Sequence, residues 1–361
     1  MHKSLDTNKL FVSGKQTRII KRFFFSKLGI LPNYNSRYEL TALFQLLLYA
    51  FANGLSAEEA SSQLKIELPD SLIASADVLL RRLKAVDERL VQKAFGSTVK
   101  RVLKNLGKKP CAIAIDYHDI SYYGDKNDLH VRGTKRQRGT NYCHQFATLE
   151  IVDGEHRLTL AVKKLSVAND EKAKVIQELI TLARKHAQIT LILLDRAFYG
   201  TACIHALKVS RFKFVMPAVK NETVNEKIKL HSHELPIVVD HSIGGKEKES
   251  FNLCMIREKT VDSKKIPKVY CFATNIVTDN AEHIAELYRK RWSIETGYRT
   301  KKQFRAKTTT PNNTVRMIYF FMECLLYNAW YCIRTEISTT VATFKKCVEK
   351  LAIKNLSKPN T

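Results

Sequence analysis

The chain is poor in the features that would settle its class cheaply. It has no C-x-x-C pair among its eight cysteines, at 111, 143, 203, 254, 271, 324, 332 and 347. The usual zinc spacings are therefore absent, and scattered cysteines in a chain this long read as reduced thiols in a cytoplasmic protein. The N-terminal "MHKSLDTNKLFVSGK" has no apolar core followed by small residues, so no signal peptide is expected there. The longest apolar run, "LTALFQLLLYAFA" from residue 40, is too short to span a bilayer and reads as a buried helix. No internal repeat or low-complexity segment stands out.

Acids are scarce too. Against 35 Asp and Glu stand 60 Lys and Arg, a net charge of +25 over 361 residues. Such an excess suits a polyanionic partner, and nucleic acid above all. The 45% hydrophobic content is that of an ordinary globular protein with a sizeable core.

Residues 1–109 read as helical. Asn53-Gly54 is a C-cap signal, and "SAEE" offers Ser56 as an N-cap with Glu59 closing a capping box. After "ELPD", the helix "SADVLLRRLKAV" turns Leu79, Leu80 and Leu83 inward and Arg81, Arg82 and Lys84 outward. Short helix, turn and basic helix is a helix-turn-helix layout that would read DNA through Arg81 and Arg82, although a plain helical bundle has the same outline.

From Lys109 the texture changes. "CAIAIDYHDI", "HQFATLEIVDG" and "RLTLAVKKL" are strands, the last two joined at a hairpin signal, Asp153-Gly154. The amphipathic "DEKAKVIQELITLARKHA", the continuous apolar strand "ITLILLDRAF", the helix "GTACIHALKVSR" and the strand "FKFVMPAV" follow. Three strands, helix, strand, helix, strand is the order of a ribonuclease-H-like α/β fold. Residues 220–266 hold strand candidates with charged turns and no good helix, a β-rich insertion. "KVYCFATNI" is a further core strand. "TDNAEHIAELYRKRWSIETGYRTKKQFRAK" reads as one long helix capped by Thr278 or Asp279, and "MIYFFMECLLYNAWYCIR" as a core helix. The expected domains are a helical DNA-binding domain at 1–109, a catalytic core at 110–219 and 267–335, the insertion at 220–266, and a C-terminal helix and tail at 336–361.

Two acids close apolar strands: Asp116 ends "AIAID" and Asp195 ends "LILLD". An unpaired buried carboxylate is costly, so each needs a partner; a turn cap or a metal ion would serve. A third acid, Glu295, sits in "YRKRWSIETGYRTKK" among cations. On a helix of about 100° per residue, Tyr288, Arg291, Glu295 and Lys302 share a face. They read either as a solvated salt-bridge face or as a carboxylate that joins two others on metal, flanked by cations that hold phosphates. Carboxylates with Mg²⁺ suit phosphoryl transfer. Trp292 could stack on a displaced base or fill the core. The basic stretch "RGTKRQRGTNY" reads as a loop in which Arg132, Lys135, Arg136 and Arg138 contact phosphates or simply face water. His118, His144, His231 and His233 lack partners at metal-ligand spacing and read as ordinary.

The spacing Y-x2-R-x3-E-x6-K at Tyr288, Arg291, Glu295 and Lys302 resembles the Y-R-E-K signature of the IS-four superfamily of DDE transposases. "AIAIDYHD" and "LLDRAFYG" resemble that family's first two acid motifs, and "DYHDISYYGD" resembles a branch best known from archaeal insertion sequences. Asp116 and Asp195 are 79 residues apart and Asp195 and Glu295 are 100 apart, the longer gap fitting members with a β-strand insertion before the glutamate. The resemblance implies that Asp116, Asp195 and Glu295 coordinate two Mg²⁺ or Mn²⁺ ions, and that Tyr288, Arg291 and Lys302 hold phosphates at the element's end. It implies nicking at the terminal inverted repeats of double-stranded DNA, joining of the freed 3′-hydroxyl to target DNA, and a homodimer in the synaptic complex. A structure-specific nuclease on the same fold, or a DNA-binding protein derived from a transposase, are the rival readings.

Overall fold

The computed structural model describes residues 7–30, 36–103, 110–137, 139–153, 157–166, 171–258, 267–334 and 336–357. Five helices come first: α1 (Thr7–Phe23), α2 (Leu40–Asn53), α3 (Ala57–Glu67), α4 (Ala76–Lys84) and α5 (Glu88–Val102). Their ends follow local rules. Gly54 closes α2 at φ 67°, a left-handed position that suits glycine. Ser56 and Glu59 form the reciprocal capping box at the start of α3.

The region after α5 is built on one sheet of nine strands among the described residues. They are β1 (Pro110–Ser121), β2 (Arg132–Gln137), β3 (Thr140–Ile151), β4 (Thr159–Lys164), β5 (Gln188–Leu194), β6 (Lys213–Pro217), β7 (Ile237–Ile243), β8 (Glu249–Arg257) and β9 (Val269–Thr274). The order is β2-β3-β1-β5-β6-β9-β8-β7, with β4 also on β3. Strand β3 is long enough to take β2 along its first half and β4 along its second. The run β4-β3-β1-β5-β6, antiparallel at β3 and parallel from β1 to β6, is the ribonuclease-H-like core. Helices α6 (Lys172–Ala183) and α7 (Thr201–Val209) cross between β4, β5 and β6.

Strands β7 and β8 do not form a separate unit. They extend the core sheet, because β9 pairs with β6 on one side and β8 on the other. Contrary to the sequence expectation, the 220–266 segment also holds a helix, α8 (Glu222–Leu230), capped by the Asn221 side chain accepting from the Val224 N–H. Its β-branched and charged residues gave little apolar periodicity, and the cap carried the signal instead.

The expected single helix after β9 is two: α9 (Ala281–Arg289) and α10 (Trp292–Lys301), followed by a short 3-10 turn (Lys302–Phe304). The break is a pair of tight i→i+3 bonds, Arg291 N–H to the Tyr288 carbonyl and Ile294 N–H to the Arg291 carbonyl, both 2.9 Å. Neither Thr278 nor Asp279 caps α9; Asn280 does, accepting from the His283 N–H at 2.9 Å. Helices α11 (Asn313–Ile333) and α12 (Val341–Leu356) end the fold. Helix α11 is almost wholly buried, as expected of a core helix. It packs on α5 and α4, and α12 packs on α2 and α1.

All eight cysteines are free thiols. Among the described residues no single helix is long and apolar enough to cross a membrane, and the apolar stretch of α2 is buried in the fold.

Candidate active site

The sheet places the first two acids side by side. The parallel register pairs Ile115 with Leu194, so Asp116 and Asp195 are the next residue on each of two neighbouring strands. Asp195 is the first residue past β5, at the head of a short 3-10 turn (Arg196–Phe198), rather than its last residue. Asp116 does not end β1, which runs on to Ser121 against β3. What ends at Asp116 is the parallel partner, and that leaves its carboxylate beside an open sheet position. Alternation along the strands sends Asp116 with Ala112 and Ala114, and Asp195 with Leu191 and Leu193, to the face covered by α9 and α10.

Helix α10 brings Glu295 to that face. Arg291, at the break between the helices, joins the acids: Nη1 is 3.4 Å from Asp116 Oδ2 and Nη2 donates to Glu295 Oε1 at 2.7 Å. Arg291 is buried, whereas Glu295 keeps 54% of its side chain in solvent. The i,i+4 pair expected on a solvated face therefore exists, but its cation is also an inter-element clamp. Burial raises the Asp116 carboxyl to about 7, the nearby Asp195 and Glu150 charges adding to it and Arg291 with the Tyr117 N–H opposing it.

These oxygen donors are of the kind a hard divalent cation takes. Asp116 and Asp195 are adjacent and face the same way. Among the described residues, however, no three His, Cys, Asp or Glu side chains close on one point. The two aspartates supply donors of the kind a cation takes, whereas Glu295 is bonded to Arg291.

The other expected residues divide. Tyr288 is buried, packed on Phe272 with ring centroids 5.1 Å apart, and carries the Arg291 guanidinium 5.5 Å from its ring centre. Lys302 lies past the end of α10, exposed, on the side of His118 and Glu323. The four signature residues are thus not one helical face, because the 3-10 joint breaks the phase on which that reading depended. Trp292 is 70% exposed, which removes the core alternative.

Residues 132–137 of the basic stretch after β1 form strand β2, not a loop. Asp119 anchors it, accepting from Thr134 Oγ1 at 2.6 Å and from Gln145 Nε2 at 2.8 Å. Arg132 reaches Gln145 Oε1 at 3.1 Å, while Lys135 and Arg136 are exposed; Arg138 lies outside the described residues. Asp125 and Asp128 cap local turns through the Asn127 and His130 N–H groups. In α4, Arg81 is exposed, but Arg82 is half-buried and donates to Ser36 Oγ.

Sequence reading missed a second, buried layer beneath α10. Lys301 is 0% exposed and paired with Glu150, which is 1% exposed. The Tyr298 hydroxyl meets Thr148 Oγ1 and reaches the Asp116 carbonyl at 3.4 Å. A signal was present: Glu150 is an acid in the apolar strand "FATLEI", and the rule that singled out Asp116 applies to it equally.

The family model described as "Transposase DDE domain" matches residues 107–329. No curated protein sequence matches the chain. Among solved structures, the chain is similar to a piggyBac transposase synaptic complex with hairpin DNA, determined by cryo-electron microscopy. The TM-score is 0.63 at 12% identity, covering 100% of this chain and 84% of that one, a likeness of fold alone.

Proposed function

The chain belongs to the transposase DDE-domain family, and from that premise we propose that it binds the ends of a mobile element, cuts there and joins them to target DNA. The observation that carries this reading is the Ile115–Leu194 register, which sets Asp116 and Asp195 abreast under the helix that bears Glu295. The Y-x2-R-x3-E-x6-K spacing supports the IS-four superfamily as the finer assignment, and "DYHDISYYGD" its archaeal branch.

Asp116, Asp195 and Glu295 would hold two divalent ions, Mg²⁺ or Mn²⁺. Bound there, such ions polarise water for hydrolysis and neutralise charge on the leaving oxygen. The protein's own groups do the rest. Arg291, released from one acid, grips a phosphate of the end DNA in a planar fork, with Tyr288 backing it. Trp292 offers a stacking face to a base near the cut. Lys302, Arg132, Lys135, Arg136 and Arg138 track the backbone. Cutting places a water-derived hydroxyl on phosphorus and frees the 3′-oxygen. Joining then makes a new bond from that oxygen to a target phosphorus, which releases a target 3′-oxygen.

Residues 1–109 would recognise the terminal repeat, through Arg81 in particular, and two copies of the chain would pair two ends. A transposase described in a synaptic complex with DNA shares the fold, which favours this arrangement. The protein would act in a prokaryotic cytoplasm, at the nucleoid. Strand transfer of a pre-cut end into plasmid DNA with Mg²⁺ tests the proposal, and cutting without joining would favour the nuclease instead.

A further inference from the structure

We propose that Lys301, Glu150 and Tyr298 are positioning residues that fix the rotation of α10 on the sheet, and thereby hold Glu295 over Asp116. The inference rests on the reading of Glu295 as a site acid.

The inward face of α10 consists of buried Ile294, Gly297 and Lys301 with half-buried Tyr298, spaced as one helical stripe. Two of the four, Lys301 and Tyr298, bond to polar groups of the sheet. The Lys301 ammonium binds Glu150 and lies 3.4 Å from Thr159 Oγ1, between the rings of Tyr298 at 4.1 Å and Tyr327 at 5.5 Å. Tyr298 reaches Thr148 and the carbonyl of Asp116 itself. A Cβ on Gly297 would stand 3.2 Å from Glu150 Oε2, so glycine lets the helix come this close. Thr148 also donates to Glu150 Oε1 at 3.1 Å, which closes the network.

The anchors are aimed at one place. In the β1–β3 register Thr148 is opposite Asp116 and Glu150 is opposite Ala114. All of them lie on the face that carries the aspartate pair, and Glu295 is the residue next to Ile294 on the helix. Turning α10 by one residue would swing Glu295 through about 100°.

Stability does not account for such a pair. Taking an ammonium and a carboxylate out of water costs free energy that their attraction often fails to recover, and apolar residues of like volume are often as stable or more so. Apolar contact is non-directional, however, and would let the helix settle at several rotations. Hydrogen bonds from a fixed ammonium and phenol admit one.

The experiment compares Glu150→Leu combined with Lys301→Met, Tyr298→Phe, and Glu295→Gln with the wild type, using the full chain. Melting temperature, end-DNA affinity, Mn²⁺ affinity by calorimetry and single-turnover nicking are measured. The double variant is expected to melt at or above the wild-type temperature and to bind DNA normally. It should lose at least about tenfold in Mn²⁺ affinity, as supporting residues of metal sites do. Nicking should fall in parallel and partly recover in excess Mn²⁺. A folded double variant with wild-type Mn²⁺ affinity and nicking overturns the proposal. Should the double variant not fold, Tyr298→Phe decides by the same two readouts. Glu295→Gln keeps the failures apart: if it too is normal, the site assignment fails, and if it alone is defective, only the positioning role does.

Discussion

Arg291 is held by two acids from different elements, at 3.4 Å from Asp116 on β1 and 2.7 Å from Glu295 on α10. The guanidinium neutralises the acid cluster in the protein as it stands. A cation that enters the cluster, or a phosphate that approaches it, competes for one of these contacts.

Arg291→Gln should therefore separate two properties. With the positive charge gone, Mn²⁺ affinity without DNA should rise, and Mn²⁺ should raise the melting temperature more than it does for the wild type. The end-DNA complex should weaken by roughly 1.5–3 kcal/mol, the worth of a hydrogen bond to a charged group, and cutting should fall. Arg291→Lys should restore only part, since lysine lacks the planar fork. Calorimetry with Mn²⁺ and a gel-shift titration report the two effects separately.

Trp292, at 70% exposure, contributes little to the core. Trp292→Ala should leave the stability within about 0.5 kcal/mol of the wild type, as surface changes do. If its ring stacks on a base, the end complex should lose roughly 1–3 kcal/mol. Only one other tryptophan is present, so quenching of fluorescence by end DNA, lost in Trp292→Ala, checks the contact directly.

The two arginines of α4 should behave differently. Arg81 is exposed, and Arg81→Ala should lower end-DNA affinity and reduce the salt slope by about one. Arg82 is tied to Ser36, so Arg82→Ala should lower stability before it alters DNA binding. Affinity measured across a salt series, beside melting curves, distinguishes them. Removing residues 1–105 outright would strip α11 and α12 of the helices they pack on, so point changes are the sound test here.

Lys164 gives a pH signature away from the acids. Burial lowers its ammonium to about 7, Arg316 adding to this while Glu88 and Asp128 oppose it. The unfolded chain then binds the extra proton between about 7 and the ordinary lysine value near 10.4, so stability rises with pH across that window. Lys164→Met should stabilise the protein most at pH 7 and progressively less towards pH 10. Melting curves of both proteins at pH 7, 8.5 and 10 check this, and a gain that does not change with pH would contradict it.

Much of the candidate site was legible because its acids break an apolar pattern. Asp116 and Asp195 interrupt strands where a carboxylate has no folding purpose, and the alternation of β1 and β5 puts them on one face. Capping chemistry fixed the ends of α2 and α3 for the same local reason. What stayed hidden depends on contacts between distant residues. The 3-10 joint at Arg291 has no glycine or proline to mark it, and a 100° wheel runs straight through it. The strand β2 is set by Asp119 and β3, so its basic sequence alone resembled a loop. Lys301 resembled one more surface cation in a basic stretch, and only Glu150, some 150 positions earlier, gives it a buried place.

The central claim is that Asp116, Asp195 and Glu295 form one metal-dependent site for cutting and joining DNA. The most direct measurement is single-turnover cleavage of an end substrate with Mn²⁺ by Asp116→Asn, Asp195→Asn and Glu295→Gln, with end binding measured on the same preparations. Each variant should lose cutting and joining by at least about a thousandfold, the scale on which preorganised charge in an active site acts, while binding the end nearly as the wild type does. Cleavage near the wild-type rate by any one of the three would remove that residue from the site and contradict the account.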